Sequence, residues 1–130
     1  MPVELRNADG LAPPPGYSHV AIARGATLVF AAGAVPLDEE GDIVGEGDAV
    51  AQTHRVIANL VAQLDAAGAG PSDVVKTTVY VAGASHERQV DVWEVVRASP
   101  IGASPSTLVG VPILGYRGQL VEIEAIAVLD

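Results

Sequence analysis

The chain has 130 residues, 49% of them hydrophobic and 18% charged, with a net charge of −9 and no cysteine. That length suits one domain over residues 1–130, burying about two-thirds of its unfolded surface. The lack of cysteine excludes a thiol nucleophile, a thiolate metal site and disulfides. Seven Lys and Arg with no basic cluster argue against DNA, RNA or an anionic membrane surface as partner.

The charged fraction lies below the roughly 25% usual for soluble domains, so part of the surface is expected to be hidden between subunits. No apolar run is long enough to span a bilayer. The start, MPVELRNADGLAPPPGY, has no apolar core after a basic segment. It therefore does not read as a secretory signal, and a cytoplasmic protein is expected.

In chain order, Met1–Gly16 is polar and then proline-rich, an extended arm ending in a turn. Ser18–Ala23 and Ala26–Gly33 read as two short strands, turned at Arg24-Gly25 into a hairpin. Val35–Gly47 is a glycine-containing loop made acidic by Asp38, Glu39, Glu40 and Asp42. Its spacing matches no calcium loop, and a gate over a cleft is the functional alternative to a solvated loop.

Asp48 is placed to cap a helix over Ala49–Ala67, closed by Gly68. Val50, Thr53, Ile57, Leu60, Val61 and Leu64 form its apolar stripe, with Gln52, Arg55, Asn59, Gln63 and Asp65 mostly off it. Val74–Ala82 is a β-branched strand. Ser85 caps a second helix reaching about Ser99, with Glu87 in its first turn and Val90, Val92, Trp93, Val95 and Val96 on its buried side.

Ser104–Val128 holds two closing strands joined by a Gly/Pro-containing connection. In Gln119–Leu129, Val121, Ile123, Ala125, Ala127 and Leu129 point one way; Leu120, Glu122, Glu124, Ile126 and Val128 point the other. Glu122 and Glu124 thus stand about 7 Å apart on an otherwise aliphatic face, either solvated or lining a site. The order β-β-α-β-α-β-β predicts an α+β domain, with two helices on one face of a mixed sheet. The bare face is expected to be covered by another subunit.

His19, His54 and His86 have no metal-ligand spacing, and no G-x-S-x-G elbow, P-loop or G-x-G-x-x-G is present. What remains is a small-molecule cleft built from Tyr17, Ala32-Gly33, Ser106–Leu108 and Glu122. A carboxylate on an apolar face can handle a water proton.

GYSHVAIARGATLVFAAGAVPLDEEGDIVGEGDAVAQTHRVIANLVAQLDAAGAGPSDVVKTTVYV and the closing LVEIEAIAV resemble the RidA/YjgF family, the Rid superfamily. The resemblance covers Gly16 to Val128, and its most specific pieces are Asp73–Val79 and Glu122–Ala127. It implies a chorismate-mutase-like fold, a homotrimer with ligand clefts between subunits, and no cofactor. The implied activity is hydrolysis of enamine or imine intermediates, 2-imino acids giving 2-oxo acids and ammonia.

Position by position, the resemblance maps the family's cleft tyrosine to Tyr17, its Ser-Gly strand end to Ala32-Gly33, and its water-positioning glutamate to Glu122. Its substrate-clamping arginine falls at Ser106, beside Thr107 and Leu108. A serine supplies neither the charge nor the bidentate reach of a guanidinium. Arg117, in Gly115-Tyr116-Arg117-Gly118, is the one nearby arginine that could replace it from a loop. Two functions follow: a hydrolase using Glu122, or a non-catalytic trimeric binder of a small metabolite or stress-protective protein. A purely structural subunit with a blocked cleft is a third. Glu124 is expected to pair with Lys76 across the sheet.

Overall fold

The computed structural model describes residues 3–130. Among the described residues, six strands and two α-helices run in the order β1 (Val3–Arg6), β2 (Val20–Ala23), β3 (Thr27–Ala34), α1 (Ala49–Ala66), β4 (Val74–Ala82), α2 (His86–Arg97), β5 (Ser106–Val111) and β6 (Val121–Leu129). The α+β expectation holds, with one strand added at the N-terminal arm; residues 1 and 2 of that arm lie outside the described residues.

The main sheet has four strands in the order β3-β6-β4-β5, and β1 and β2 form a separate two-stranded sheet. The expected hairpin is therefore not formed. β2 pairs antiparallel with β1, Val3 opposite Ala23, whereas β3 pairs antiparallel with β6, Thr27 opposite Leu129. Gly25 sits at the parting of the two sheets, where an added Cβ would meet the Leu129 carbonyl at 2.5 Å and Val128 at 3.1 Å.

The two closing strands do not pair with each other either. β4 lies between them, antiparallel to β6 and parallel to β5, with α2 as the crossover that a parallel pair needs.

Both helix starts follow from side-chain capping. Asp48 Oδ1 accepts from the Ala51 N–H at 3.0 Å, and Ser85 Oγ accepts from the Arg88 N–H at 3.2 Å. At the end of α1 the Ala69 N–H reaches the Leu64 carbonyl at 2.9 Å, across Gly68 at φ +78°. That left-handed turn is open to glycine without a Cβ penalty.

The helices pack on one face of the sheet. Val56, Leu60 and Leu64 of α1 and Val92 and Val96 of α2 are buried against Val79 and Val81 of β4 and Val121, Ile123, Ala125 and Ala127 of β6. Each such aliphatic side chain contributes about 1.5–3 kcal/mol by leaving water. Two residues of the expected stripes are exposed instead, Val50 and Val90. Gln52, expected off the stripe, is fully buried. The helix start tips that face toward the loops around it, where an amide can satisfy backbone groups that valine cannot.

Candidate functional site

The site residues fall on both sides of the sheet, and the pleat decides which. In β5, Ser106 is opposite buried Thr77 of β4 and Leu108 is opposite buried Val79, so both face the helix layer. Thr107 faces the other way. In β6, buried Val121, Ile123 and Ala125 take the helix side, leaving Glu122 and Glu124 on the open face.

On the helix side a cavity of about 270 Å³ is lined by Pro15, Tyr17, Trp93, Ser106 and Leu108. Tyr17 meets Trp93 edge-on, ring centres 6.0 Å apart at 70°, and meets His19 at 6.4 Å and 68°. The chain before β2 is tied down on this cavity. Trp93 Nε1 donates to the Pro15 carbonyl at 2.9 Å, and Ser18 Oγ donates to the Ala103 carbonyl at 2.7 Å. The Ser106 hydroxyl accepts from Thr77 Oγ1 at 2.8 Å.

On the open face, Glu122 lies against Gly33. Between Ala31 (opposite Ala125) and Ala34 (opposite Ile123) β3 carries one residue more than β6, a bulge at Ala32-Gly33. Gln63 Nε2 holds this bulge by donating to the Ala32 carbonyl at 3.0 Å. The bulge turns the bare Cα of Gly33 toward the Glu122 carboxylate, whose Oε2 is the atom nearest to where a Cβ would stand. Glu122 Oε1 accepts from Gln119 Nε2 at 3.0 Å.

Glu124 accepts from the Tyr80 hydroxyl at 2.6 Å, and Lys76 Nζ donates to Thr107 Oγ1 at 2.7 Å. The expected Glu124–Lys76 pair is thus replaced by two other contacts. Tyr80, opposite Glu122 and two residue pairs along from Glu124, presents its hydroxyl to Glu124, while Lys76 reaches sideways to β5. The hydrogen bond to the Glu124 carboxylate raises the Tyr80 pKa, with burial and the charges of Glu124 and Glu122 adding to it. Around this polar strip, Leu28 and Phe30 are exposed, at 56% and 70%.

Arg117 is exposed and lines a separate cavity of about 470 Å³ at the end of the sheet, together with Arg88, Tyr116 and Gln119. The acidic loop is folded on itself. Asp38 Oδ1 accepts from the Glu40 and Asp42 N–H groups at 3.0 Å each, and Asn59 Nδ2 fastens its base by donating to the Val35 carbonyl at 2.8 Å. Among the described residues, no three His, Asp or Glu side chains converge as a metal site would need.

The structure therefore brings Tyr17, Ser106 and Leu108 together, and separately Gly33 and Glu122, but does not join these sets within one chain. Thr107 and Arg117 stand apart from both. Trp93, Pro15 and Gln119 are additions to the sequence-based site. Trp93 reads as core from its helical spacing, Pro15 as arm, and a lone glutamine before a strand carries no sequence signal.

A family model described as endoribonuclease L-PSP matches residues 8–129. A RutC family protein of Pyrococcus abyssi is 37% identical over 101 residues, covering 77% of each chain. The 3-aminoacrylate deaminase RutC of Acinetobacter baylyi is 35% identical over 81 residues, covering 62% of this chain and 64% of that one. A Rid-family protein of unknown function from Yersinia pestis, YyfB, superposes with a TM-score of 0.91 at 34% identity, covering 99% of this chain and all of that one.

Proposed function

Because the chain belongs to the RidA/YjgF (Rid) superfamily, we propose that it hydrolyses a small imine or enamine in a cleft completed by a second copy of itself. The observation that carries this reading is the Glu122 carboxylate lying against Gly33 on the open face of the sheet. It is a proton acceptor that can lie there only because residue 33 has no side chain.

The chemistry needs little more. A water beside Glu122 adds to the imine carbon as the carboxylate takes its proton. The nitrogen takes up that proton to give a carbinolamine, then receives the proton that the carbinolamine hydroxyl gives up, so that the C–N bond breaks as the C=O forms and ammonia leaves. A 2-imino acid plus water thus becomes a 2-oxo acid plus ammonia, with no electrons exchanged and no cofactor required. The enamine form joins the same route once its carbon is protonated. The name of the Acinetobacter baylyi relative, an enamine deaminase, favours this substrate class.

A subunit contact follows from the two faces. Tyr17 and Ser106 face the helix layer and Glu122 faces away, so one chain cannot present all three to one small molecule. A homotrimer burying the open face, with Leu28 and Phe30 in the contact, sets the Tyr17–Ser106 half of one copy against the Glu122 half of the next. An RNA substrate is not favoured, given the net charge of −9 and seven dispersed cations.

A second reading, a non-catalytic metabolite binder, is favoured by Ser106. Its hydroxyl already bonds Thr77, and it offers no positive charge to a substrate carboxylate. One assay separates the two, using 2-iminopropanoate generated in situ. Low wild-type turnover abolished by Glu122→Ala and raised by Ser106→Arg supports the hydrolase. Turnover indifferent to Glu122→Ala overturns it, and no turnover in wild type or in Ser106→Arg favours the binder.

A further inference from the structure

Glu122 has two carboxylate oxygens, and the structure treats them differently. Oε1 is held by Gln119 Nε2, whereas Oε2 takes no part in that bond and lies against the bare Cα of Gly33. We propose that Gln119 is the positioning residue of the site: it holds Oε1 so that Oε2 is the oxygen left to bind the attacking water. This rests on the hydrolase reading above.

Gln119 is suited to the task because its own orientation is fixed. It is 3% exposed. Its Oε1 accepts from the Tyr116 N–H at 3.1 Å, which decides the amide's sense, since a backbone N–H needs an oxygen opposite it. The amide nitrogen must then point the other way, and its two hydrogens serve the Val121 carbonyl at 3.1 Å and Glu122 Oε1 at 3.0 Å. Both donors and the oxygen are in use.

The backbone around Gln119 is fixed by a second buried amide. Gln52, fully buried at the start of α1, donates through Nε2 to the Gly118 carbonyl at 2.9 Å and to the Gly45 carbonyl at 3.1 Å. Its Oε1 accepts from the Leu120 N–H at 2.7 Å. Residues on both sides of Gln119 are therefore bonded to the helix. A glutamate's terminal torsion is broad and roughly two-fold, so a free carboxylate would present either oxygen. The chain from α1 through Gln52 and Gln119 removes that freedom before substrate arrives, which is what preorganised catalysis requires.

The discriminating substitution is Gln119→Glu. It keeps the size and the acceptor for the Tyr116 N–H, but replaces the donor to Glu122 with a carboxylate that repels it. At about pH 8 it should lower kcat for 2-iminopropanoate about tenfold, with KM within about twofold of wild type. The loss relative to wild type should shrink toward about pH 5, as the substituted carboxyl regains a proton to donate. A purely structural role would not move with pH in this way. Unchanged kcat, or a loss equal at both pH values, overturns the proposal.

Crystal structures of wild type and Gln119→Glu above pH 7 give a readout free of turnover. Glu122 turned away from Gly33 supports positioning; Glu122 unmoved overturns it. If the wild type shows no turnover while Glu122 does turn, the hydrolase reading fails and the positioning stands. Should Gln119→Glu fail to fold, Gln119→Met takes its place: a kcat about tenfold lower at both pH values, with Glu122 turned away from Gly33 in the crystal, supports positioning, and an unchanged kcat or an unmoved Glu122 overturns it.

Discussion

The Glu122 carboxylate occupies the volume that a side chain at residue 33 would need: a Cβ built on Gly33 stands 2.6 Å from Glu122 Cδ. The pairing of a strand-end glycine with a strand-start glutamate on the neighbouring strand therefore has a steric cause. The β3 bulge aims the glycine, the alternation of β6 aims the glutamate, and only the absence of a Cβ lets both stay.

Gly33→Ala tests this contact. The atoms it strikes belong to the far end of a flexible side chain, so the fold should lose only about 1 kcal/mol, at the low end of overpacking costs. The carboxylate must move, and turnover should fall by about tenfold or more, since misplacement of about 1 Å is costly in a catalytic site. Thermal denaturation beside the imine assay checks both. A variant as active as wild type would show that Glu122 does not work from this position.

Ser106→Arg is expected to raise turnover of an anionic imine. The side chain would start in the cavity of about 270 Å³ shared with Tyr17 and Trp93, giving up the Thr77 contact for a charge that a carboxylate can use. Steady-state kinetics with a 2-imino acid should show the change chiefly as a lower KM. An equal or higher KM would mean that this cavity does not receive the carboxylate.

Tyr80 and Glu124 predict a stability change in alkali. The folded-state pKa of Tyr80 is raised, mainly by its bond to the carboxylate. Its contribution is therefore complete below the unfolded value of about 10 and is lost as pH climbs above it, because the unfolded chain gives up its proton first. Tyr80→Phe should cost about 1 kcal/mol at neutral pH, as one part-exposed hydrogen bond does. Urea denaturation at neutral and alkaline pH should show the gap between wild type and variant closing above about pH 10. A gap that widens would contradict the assigned bond.

Gln52→Leu should be the most destabilising of these changes. It strands the Leu120 N–H and the Gly118 and Gly45 carbonyls, part-buried groups whose loss of partners costs about 1–3 kcal/mol each where water cannot reach them. A loss of about 3 kcal/mol by chemical denaturation is expected. A loss under about 0.5 kcal/mol would mean that solvent satisfies those groups.

Assembly has its own test. Phe30 is 70% exposed in the single chain, beside Leu28 on the open face. If the proposed trimer forms, Phe30→Glu should shift light scattering from trimer to monomer and abolish turnover with it, since the proposed cleft is shared between two copies. A monomeric wild type would remove the basis for the shared cleft.

Much of the architecture is legible in the residues taken in order. Period-two alternation in Val121–Leu129 and Val74–Ala82, the helical stripe through Ile57, Leu60 and Leu64, and the caps Asp48 and Ser85 depend on near neighbours in sequence. They survive in the structure because tertiary packing buries the same faces. Family membership was legible for the same reason: it rests on contiguous segments, Asp73–Val79 and Glu122–Ala127.

Which strand pairs with which was decided only in three dimensions. β2 leaves β3 for β1, and β4 enters between β5 and β6, because pairing depends on how distant segments cover one another and not on the turn between neighbours. The candidate site divides in the same way. Tyr17, Ser106, Gly33 and Glu122 carry local signals, but which of them meet is set by the pleat and by a one-residue bulge. Gln119 and Gln52 carry no local signal at all: a glutamine is informative only when burial obliges every one of its polar atoms to find a partner.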